Sequence, residues 1–400
     1  MTNTVVPTCA PRQSPAHSAS QILSRQVFAW LDMCQSSAAL GLRYWTGATA
    51  RGTTPYELAL DGFRWIQIVG SRRAPTWSTS NRVVSSSNIM ALRDFSDGSQ
   101  TATIPSLILP PQAGHHSCIV DYSPVQSQVL TARAAGLTSL YVLEWLGATP
   151  ETKDTTIGEY IESVREAIAR IGGPVNLIGD CQGGWLATLY TAMYPEDVAT
   201  LTIGGAPIDF HSDNAAIADA VKVISAARGM EPYRLAVELG GGVLRGELLL
   251  GGFIALQPQT EVKKHLELML HLDDDEFVQR YAEFQDWYTF TQDLPGAMYL
   301  WAVEHLFLGN ELVRGTLEID GRPVKLGSIV CPVNLLAGAE DHITPPDQVF
   351  ALADHVGTAP DKITKLLTSG GHLGLFMGRN ALKNAWLPLL ESVAAQARPR

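Results

Sequence analysis

The segment Val175-Asn-Leu-Ile-Gly-Asp-Cys-Gln-Gly-Gly184 sets one thiol, Cys181, midway between Gly179 and Gly183. An apolar strand that runs straight into a helix must turn sharply at the residue between them, and Cβ atoms two positions to either side would obstruct the turn. The turn strains the residue it exposes. The helix that follows brings its positive end to the thiol and favours the thiolate. The backbone N–H of Gln182 then serves as half of an oxyanion hole. The chemistry implied is attack by a cysteine thiolate on an ester or thioester carbonyl. The plain alternative is a glycine-rich turn around a cysteine that only packs. Asp180 is a second nucleophile candidate, one position out of the glycine frame.

A thiol nucleophile needs a base, and the base an orienting acid. Both stand further along the chain, in loops behind apolar runs. Val333–Ala337 leads into Gly338-Ala-Glu-Asp-His-Ile-Thr-Pro-Pro346, and Ile363–Leu367 into Ser369-Gly-Gly-His-Leu-Gly374. The order nucleophile, acid, histidine is that of α/β-hydrolases. Asp341 is therefore expected to orient His372 and to stabilise its imidazolium. Glu340 is the alternative acid, and Asp209 is read as a supporting or structural carboxylate.

The other oxyanion N–H is expected from Ala113 or Gly114, in the loop Pro110–Ser117 behind the strand Ser106–Leu109. His115 and His116 do not read as metal ligands. Adjacent residues do not easily share one ion, and no third ligand sits at a useful spacing. No metal and no cofactor are expected. The run Asp273–Glu276 lacks the alternating ligands and glycine of a calcium loop and reads as a solvated helix start. His115, Trp287 and Trp301 are candidates for a substrate pocket, with plain packing as the alternative.

These residues must be positioned by a scaffold, and the pattern of the chain supplies one. Short apolar runs at Ser106–Leu109, Leu140–Leu143, Val175–Ile178 and Ala199–Ile203 alternate with helical stretches over Pro124–Ala135, Thr156–Ile171 and Gly183–Met193. Such alternation builds a parallel, doubly wound sheet through right-handed crossovers. Between 211 and 315 the rhythm breaks into helical patterns, Glu261–Leu272 and Glu276–Tyr288 among them, without an evident strand. The strand pattern resumes at Val333 and at Ile363, and a helix from Asn380 to Ala395 closes the chain. The sequence thus predicts an α/β-hydrolase fold with core segments 76–210 and 316–400 and a helical cap over 211–315. An independent helical domain is the alternative for the cap. Residues 1–18 read as a disordered lead-in and 19–75 as a helical arm, with one helix from Ser20 to about Tyr44 and another opening at Thr54-Pro55 and reaching about Val69.

Bulk composition narrows the partners. A formal net charge of -11 argues against nucleic acid, while 46% hydrophobic and 17% charged residues allow a sizeable core. Five cysteines, at 9, 34, 118, 181 and 331, form no CxxC pair and suggest neither a disulfide framework nor zinc. A reducing, cytoplasmic setting is expected. No stretch has the length of a membrane span, and the N-terminus does not read as a secretory signal.

With these motifs in view, the chain resembles the polyhydroxyalkanoate synthases and intracellular depolymerases. Gly179-Asp-Cys-Gln-Gly-Gly184 resembles the synthase box, in which cysteine replaces the serine of lipases, and Glu340-Asp-His-Ile-Thr-Pro345 resembles the synthase acid loop. Gly371-His-Leu-Gly-Leu-Phe-Met-Gly378 is similar to the depolymerase histidine loop, and Pro111–His115 and Gly204–Asp209 also fit the superfamily. The similarity runs from about Ile104 to Val393. It implies Cys181 as nucleophile, Asp341 as acid and His372 as base, acting on an acyl-CoA or polyester substrate, with coenzyme A only as a leaving group. It also implies subunits that pair as homodimers or sit at a polyester granule surface. Two residues depart from the pattern: Asp180 where synthases carry an aromatic residue, and Gly183 where depolymerases carry proline. Transfer to an alcohol and hydrolysis by water both remain open. A third reading is an inactive scaffold that binds granules or a partner through its N-terminal arm.

Overall fold

The computed structural model describes residues 38–98, 104–213 and 215–396. The predicted lead-in over 1–18, and the predicted first helix up to residue 37, lie outside them. The described residues fall into two compact units, those within 38–71 with 253–282 and those within 72–252 with 283–396. The helices expected between 211 and 315 are distributed over both.

In the first unit, residues 38–50 are helical and a helix follows at Pro55–Val69. Its start is set as the Thr-Pro pair suggests. Thr54 Oγ1 accepts the N–H of Glu57, and the Glu57 carboxylate accepts the N–H of Thr54 at 2.7 Å, a reciprocal capping box. Trp65, Ile68 and Val69 pack on Leu268, Leu272 and Tyr281.

The second unit is built on an eight-stranded sheet. Its strands are β1 (Arg82–Ser86), β2 (Met90–Asp94), β3 (Ser106–Leu109), β4 (Leu140–Trp145), β5 (Val175–Asp180), β6 (Val198–Gly204), β7 (Val333–Gly338) and β8 (Ile363–Thr368). They lie in the order β1-β2-β4-β3-β5-β6-β7-β8. β2 is antiparallel to both its neighbours, and the pairs from β4 onward are parallel. This is the α/β-hydrolase fold. The antiparallel start, β1 and β2, was not legible as strands.

Side chains alternate across the sheet, as a period of two requires. Leu107, Leu109, Leu143, Val175, Leu177, Leu335 and Ala337 enter one apolar cluster. Ile108, Val142, Ile178 and Leu336 enter the other. Helices α1 (Gln128–Ala134), α2 (Ile157–Ile171), α3 (Gln182–Met193) and α4 (His372–Met377) cover the two faces. On burial of about 1.5–3 kcal/mol for each large apolar side chain, these layers supply most of what holds the strand ends in place. α1 begins at Gln128 rather than Pro124, because Asp121–Ser123 and Gln126–Ser127 form a short antiparallel pair first. The insertion also holds one two-residue ladder, Val243–Leu244 with Leu294–Pro295. The closing helix has a π-helical turn at Leu382–Trp386 before its α-helical end, Leu387–Gln396. Among the described residues no helix is long and apolar enough to cross a membrane.

Candidate active site

β5 ends at Asp180 and α3 begins at Gln182, so Cys181 alone makes the turn. Its φ of 49° and ψ of −116° lie in a strained region for a side chain with a Cβ. Its own N–H donates to the Gly204 carbonyl at 2.8 Å, which ties the turn to β6. The glycine frame is a matter of space. A Cβ on Gly179 would run into the backbone of Gly183 and Gly184, and one on Gly183 into the carbonyls of Leu109 and Pro110. The same contact brings the end of β3, and hence the loop after it, against the turn.

His372 opens α4, and its imidazole hydrogen-bonds with Asp341, with Cys181 near enough to act on its charge. The Nδ1–H donates to Asp341 Oδ2 at 2.7 Å, so Nε2 is the nitrogen left for the thiol. Burial alone would lower the imidazole pKa. The charge on Cys181, then the Asp341 carboxylate and the hydrogen bond to it, overcome it and push it up to about 10. Asp341 is fixed in turn by its own loop. Its Oδ1 accepts the N–H groups of Ile343 and Thr344, each at 2.9 Å. Thr344 Oγ1 lies 2.9 Å from Asp341 Oδ2 and 2.8 Å from the Gly205 carbonyl. Burial would raise this carboxyl, but the His372 charge and these bonds hold it below the usual carboxylate range. Glu340 is exposed. Asp209 serves elsewhere, accepting from Asn310 Nδ2 at 2.8 Å and from the His211 N–H at 3.0 Å.

The sheet's alternation puts Asp180 on the same face as Asn176 and Ile178, where it is wholly buried. Gln128 Nε2 donates to its Oδ1 at 3.2 Å, and Oδ2 has no partner among the described residues. Burial pushes this carboxyl up to about 8, against the opposing pull of the Gln128 hydrogen bond and the His372 charge. A neutral acid therefore stands beside the thiol at neutral pH.

The N–H groups of Gln182, Ala113 and Gly114 have no acceptor among the described residues. An oxyanion hole requires donors that are free in this way. The loop that carries two of them is anchored through its histidines. His116 Nδ1 accepts the Cys118 N–H at 3.1 Å, and its Nε2 donates to Glu144 Oε1 at 3.1 Å. Arg93 Nε holds the other Glu144 oxygen at 2.6 Å. His115 Nε2 donates to the Tyr288 carbonyl at 3.0 Å, and the ring stacks on Trp287 with centroids 4.9 Å apart. Trp301 packs on Trp185 of α3 at 6.3 Å. Of the three pocket candidates, His115 and Trp287 are thus bound to each other and Trp301 to the turn helix.

A cavity of about 10 Å³ adjoins the turn, lined by Gln112, Tyr160, Gln182, Gly183, Trp185 and Met298 among others. That is room for about one water molecule and not for an acyl chain. A larger surface cavity of about 260 Å³ is lined by Thr156, Glu159, Tyr194, Asp320 and Arg322 among others, and no site residue borders it. Among the described residues, no group of three His, Cys, Asp or Glu side chains is placed to hold a metal ion.

Sequence reading missed Thr344 and Glu144. Each left a signal: Thr344 stands three residues after an acid, where an Asx-type turn closes, and Glu144 is a charge inside an apolar strand.

The model of the family described as "Protein of unknown function (DUF3141)" matches residues 87–384. The poly(3-hydroxyalkanoate) polymerase subunit PhaC of Allochromatium vinosum is 29% identical over 235 residues, which is 58% of this chain and 63% of that protein. The chain thus spans less than two thirds of that relative's length. The protein of the same name from Haloferax mediterranei is 26% identical over 358 residues, 83% of this chain and 70% of that protein. Among solved structures, the monoacylglycerol lipase of Paleococcus ferrophilus superposes with a TM-score of 0.44 at 16% identity, covering 74% of this chain and 96% of that one.

Proposed function

The chain belongs to the DUF3141 family, and from that premise and the site geometry we propose a cysteine-dependent acyltransferase of the polyhydroxyalkanoate synthase type. The observation that carries the reading is the His372–Asp341 hydrogen bond in a site that also holds Cys181 at a strained turn. Similarity to two polymerase subunits supports the substrate class, a hydroxyacyl thioester.

The reaction has two halves. His372 takes the proton of Cys181, and the thiolate forms a bond to the acyl carbonyl carbon while the carbonyl electrons move to oxygen. The N–H of Gln182 and that of Ala113 or Gly114 receive the oxyanion. Collapse breaks the bond to the coenzyme A sulfur, which leaves with the proton held by His372. Coenzyme A enters only as this leaving group. In the second half His372 deprotonates a hydroxyl, which attacks the acyl-cysteine and returns the thiolate. Asp341 keeps the imidazole in the tautomer both halves need. We read the helices of the insertion that belong to the second unit as the cap that keeps water from the acyl-enzyme.

Hydrolysis of the same acyl-cysteine is the second reading, favoured by the depolymerase-like loop Gly371–Gly378. One experiment separates them. Purified protein and Cys181→Ala are mixed with 3-hydroxybutyryl-CoA, thiol release is followed, and products are weighed by mass spectrometry. Growing oligomers are the expected product. Free hydroxy acid alone makes the protein a thioesterase, and equal activity in Cys181→Ala removes the thiol mechanism.

A further inference from the structure

The oxyanion loop is held along both flanks, and the two holds differ in kind. From the sheet, the Arg93–Glu144 pair grips the His116 imidazole. From the chain segment 287–292, three hydrogen bonds reach three successive loop residues. The Trp287 Nε1–H donates to the His116 carbonyl at 3.1 Å, and His115 Nε2 donates to the Tyr288 carbonyl at 3.0 Å. The Gln292 N–H donates to the Gly114 carbonyl at 2.8 Å. Gly114 itself has φ of 84°, a left-handed conformation that the loop must be held in.

Trp287 meets the loop in two ways. It is 2% exposed, so its N–H needs an internal acceptor. The acceptor is the carbonyl of His116, while the indole face stacks on the ring of His115 at an interplanar angle of 24°. It takes no part in lining the cavity beside the turn. We propose that Trp287 is a positioning residue for the oxyanion loop, fixing through the two histidines where the N–H groups of Ala113 and Gly114 stand.

This inference rests on the acyl-transfer reading, and its test uses two reactions of one thiol. Acylation of Cys181 by p-nitrophenyl acetate develops an oxyanion, whereas alkylation by iodoacetamide does not. Trp287→Phe keeps an aromatic face and removes the N–H together with the rest of the five-membered ring. Displaced donors should slow acylation by about ten- to hundredfold, since one oxyanion donor is worth about 10²–10³ and small misplacements cost less. Alkylation of Cys181, read by peptide mass, should keep its wild-type rate within about twofold, because no donor acts on it. Amide hydrogen exchange over residues 112–116 should quicken in the same variant. Equal losses in both reactions would mean general damage to the site and overturn the proposal, as would unchanged acylation or unchanged exchange. Wild-type acylation no faster than that of Cys181→Ala would sink the acyl-transfer reading and the catalytic role with it. The exchange result would still report whether the indole holds the loop.

Discussion

Two carboxyl groups lie buried near the same imidazole and meet opposite fates. The loop after β7 presents Asp341, whose oxygens take two backbone N–H groups and the His372 Nδ1–H, with the Thr344 hydroxyl beside them. The end of β5 presents Asp180, which takes one amide hydrogen from Gln128. The first is held ionised and the second is driven toward neutrality, up to about 8. Burial opposes both charges. What separates them is the number of donors the local backbone delivers: a loop that curls around its acid offers N–H groups, and a strand has already committed its own to the sheet.

The sharpest break of this contrast is Asp341→Asn. An amide in place of the orienting acid leaves His372 in the wrong tautomer, and thioester cleavage should fall by about 10³–10⁴-fold. A loss under tenfold in coenzyme A release would remove Asp341 from its role. Thr344→Val deletes one support and keeps the rest. A hydrogen bond to a charged group is worth about 1.5–3 kcal/mol, so a loss of roughly ten- to hundredfold is expected. Nuclear magnetic resonance of the His372 ring should also show a shifted imidazole pKa, and an unmoved resonance would mean that the hydroxyl serves Gly205 instead.

The smallest effect is on stability, at Asp180. Its folded-state pKa is raised, so its protonated form favours the folded protein. That stability is complete below the usual carboxylate range. It drains away as pH climbs toward about 8, while the unfolded chain ionises and the folded one does not. Asp180→Asn cannot ionise. Its Tm relative to wild type should therefore rise between about pH 4 and about pH 8 and level off above. A Tm difference that stays constant over that range would show Asp180 to be an ordinary carboxylate.

The sequence reader sees one of these two acids well and the other poorly. Asp341 is legible because it stands after a strand, in the right order relative to Cys181 and His372. The parallel strands were equally legible, since β3 and β5 to β8 are short apolar runs separated by helical ones. β1 and β2 escaped notice because an edge hairpin such as Arg82–Ser86 buries little and carries arginine and serine. Asp180 was visible as an off-frame nucleophile candidate and as a departure from a motif, not as a buried acid. Its burial depends on Gln128 and Gly204, which lie far from it in the chain and are brought close by the sheet. The reach of Trp287 to His116 spans 171 positions, and no local pattern encodes such a bond.

β7 and β8 run in register and end on the paired residues Gly338 and Thr368. From those ends the chain counts three residues to Asp341 and four to His372. The two short spans are stitched together, Ala339 N–H to Thr368 and Glu340 N–H to Gly370. Surface loops in general can grow at little cost, about 0.6 kcal/mol for each doubling of length. These two cannot. They are rulers cut to size, and one residue added to either would slide acid past base without touching a single packed side chain. In a library of single-residue insertions, the silent failures (folded, stable and inert) should gather at 339–341 and 369–371.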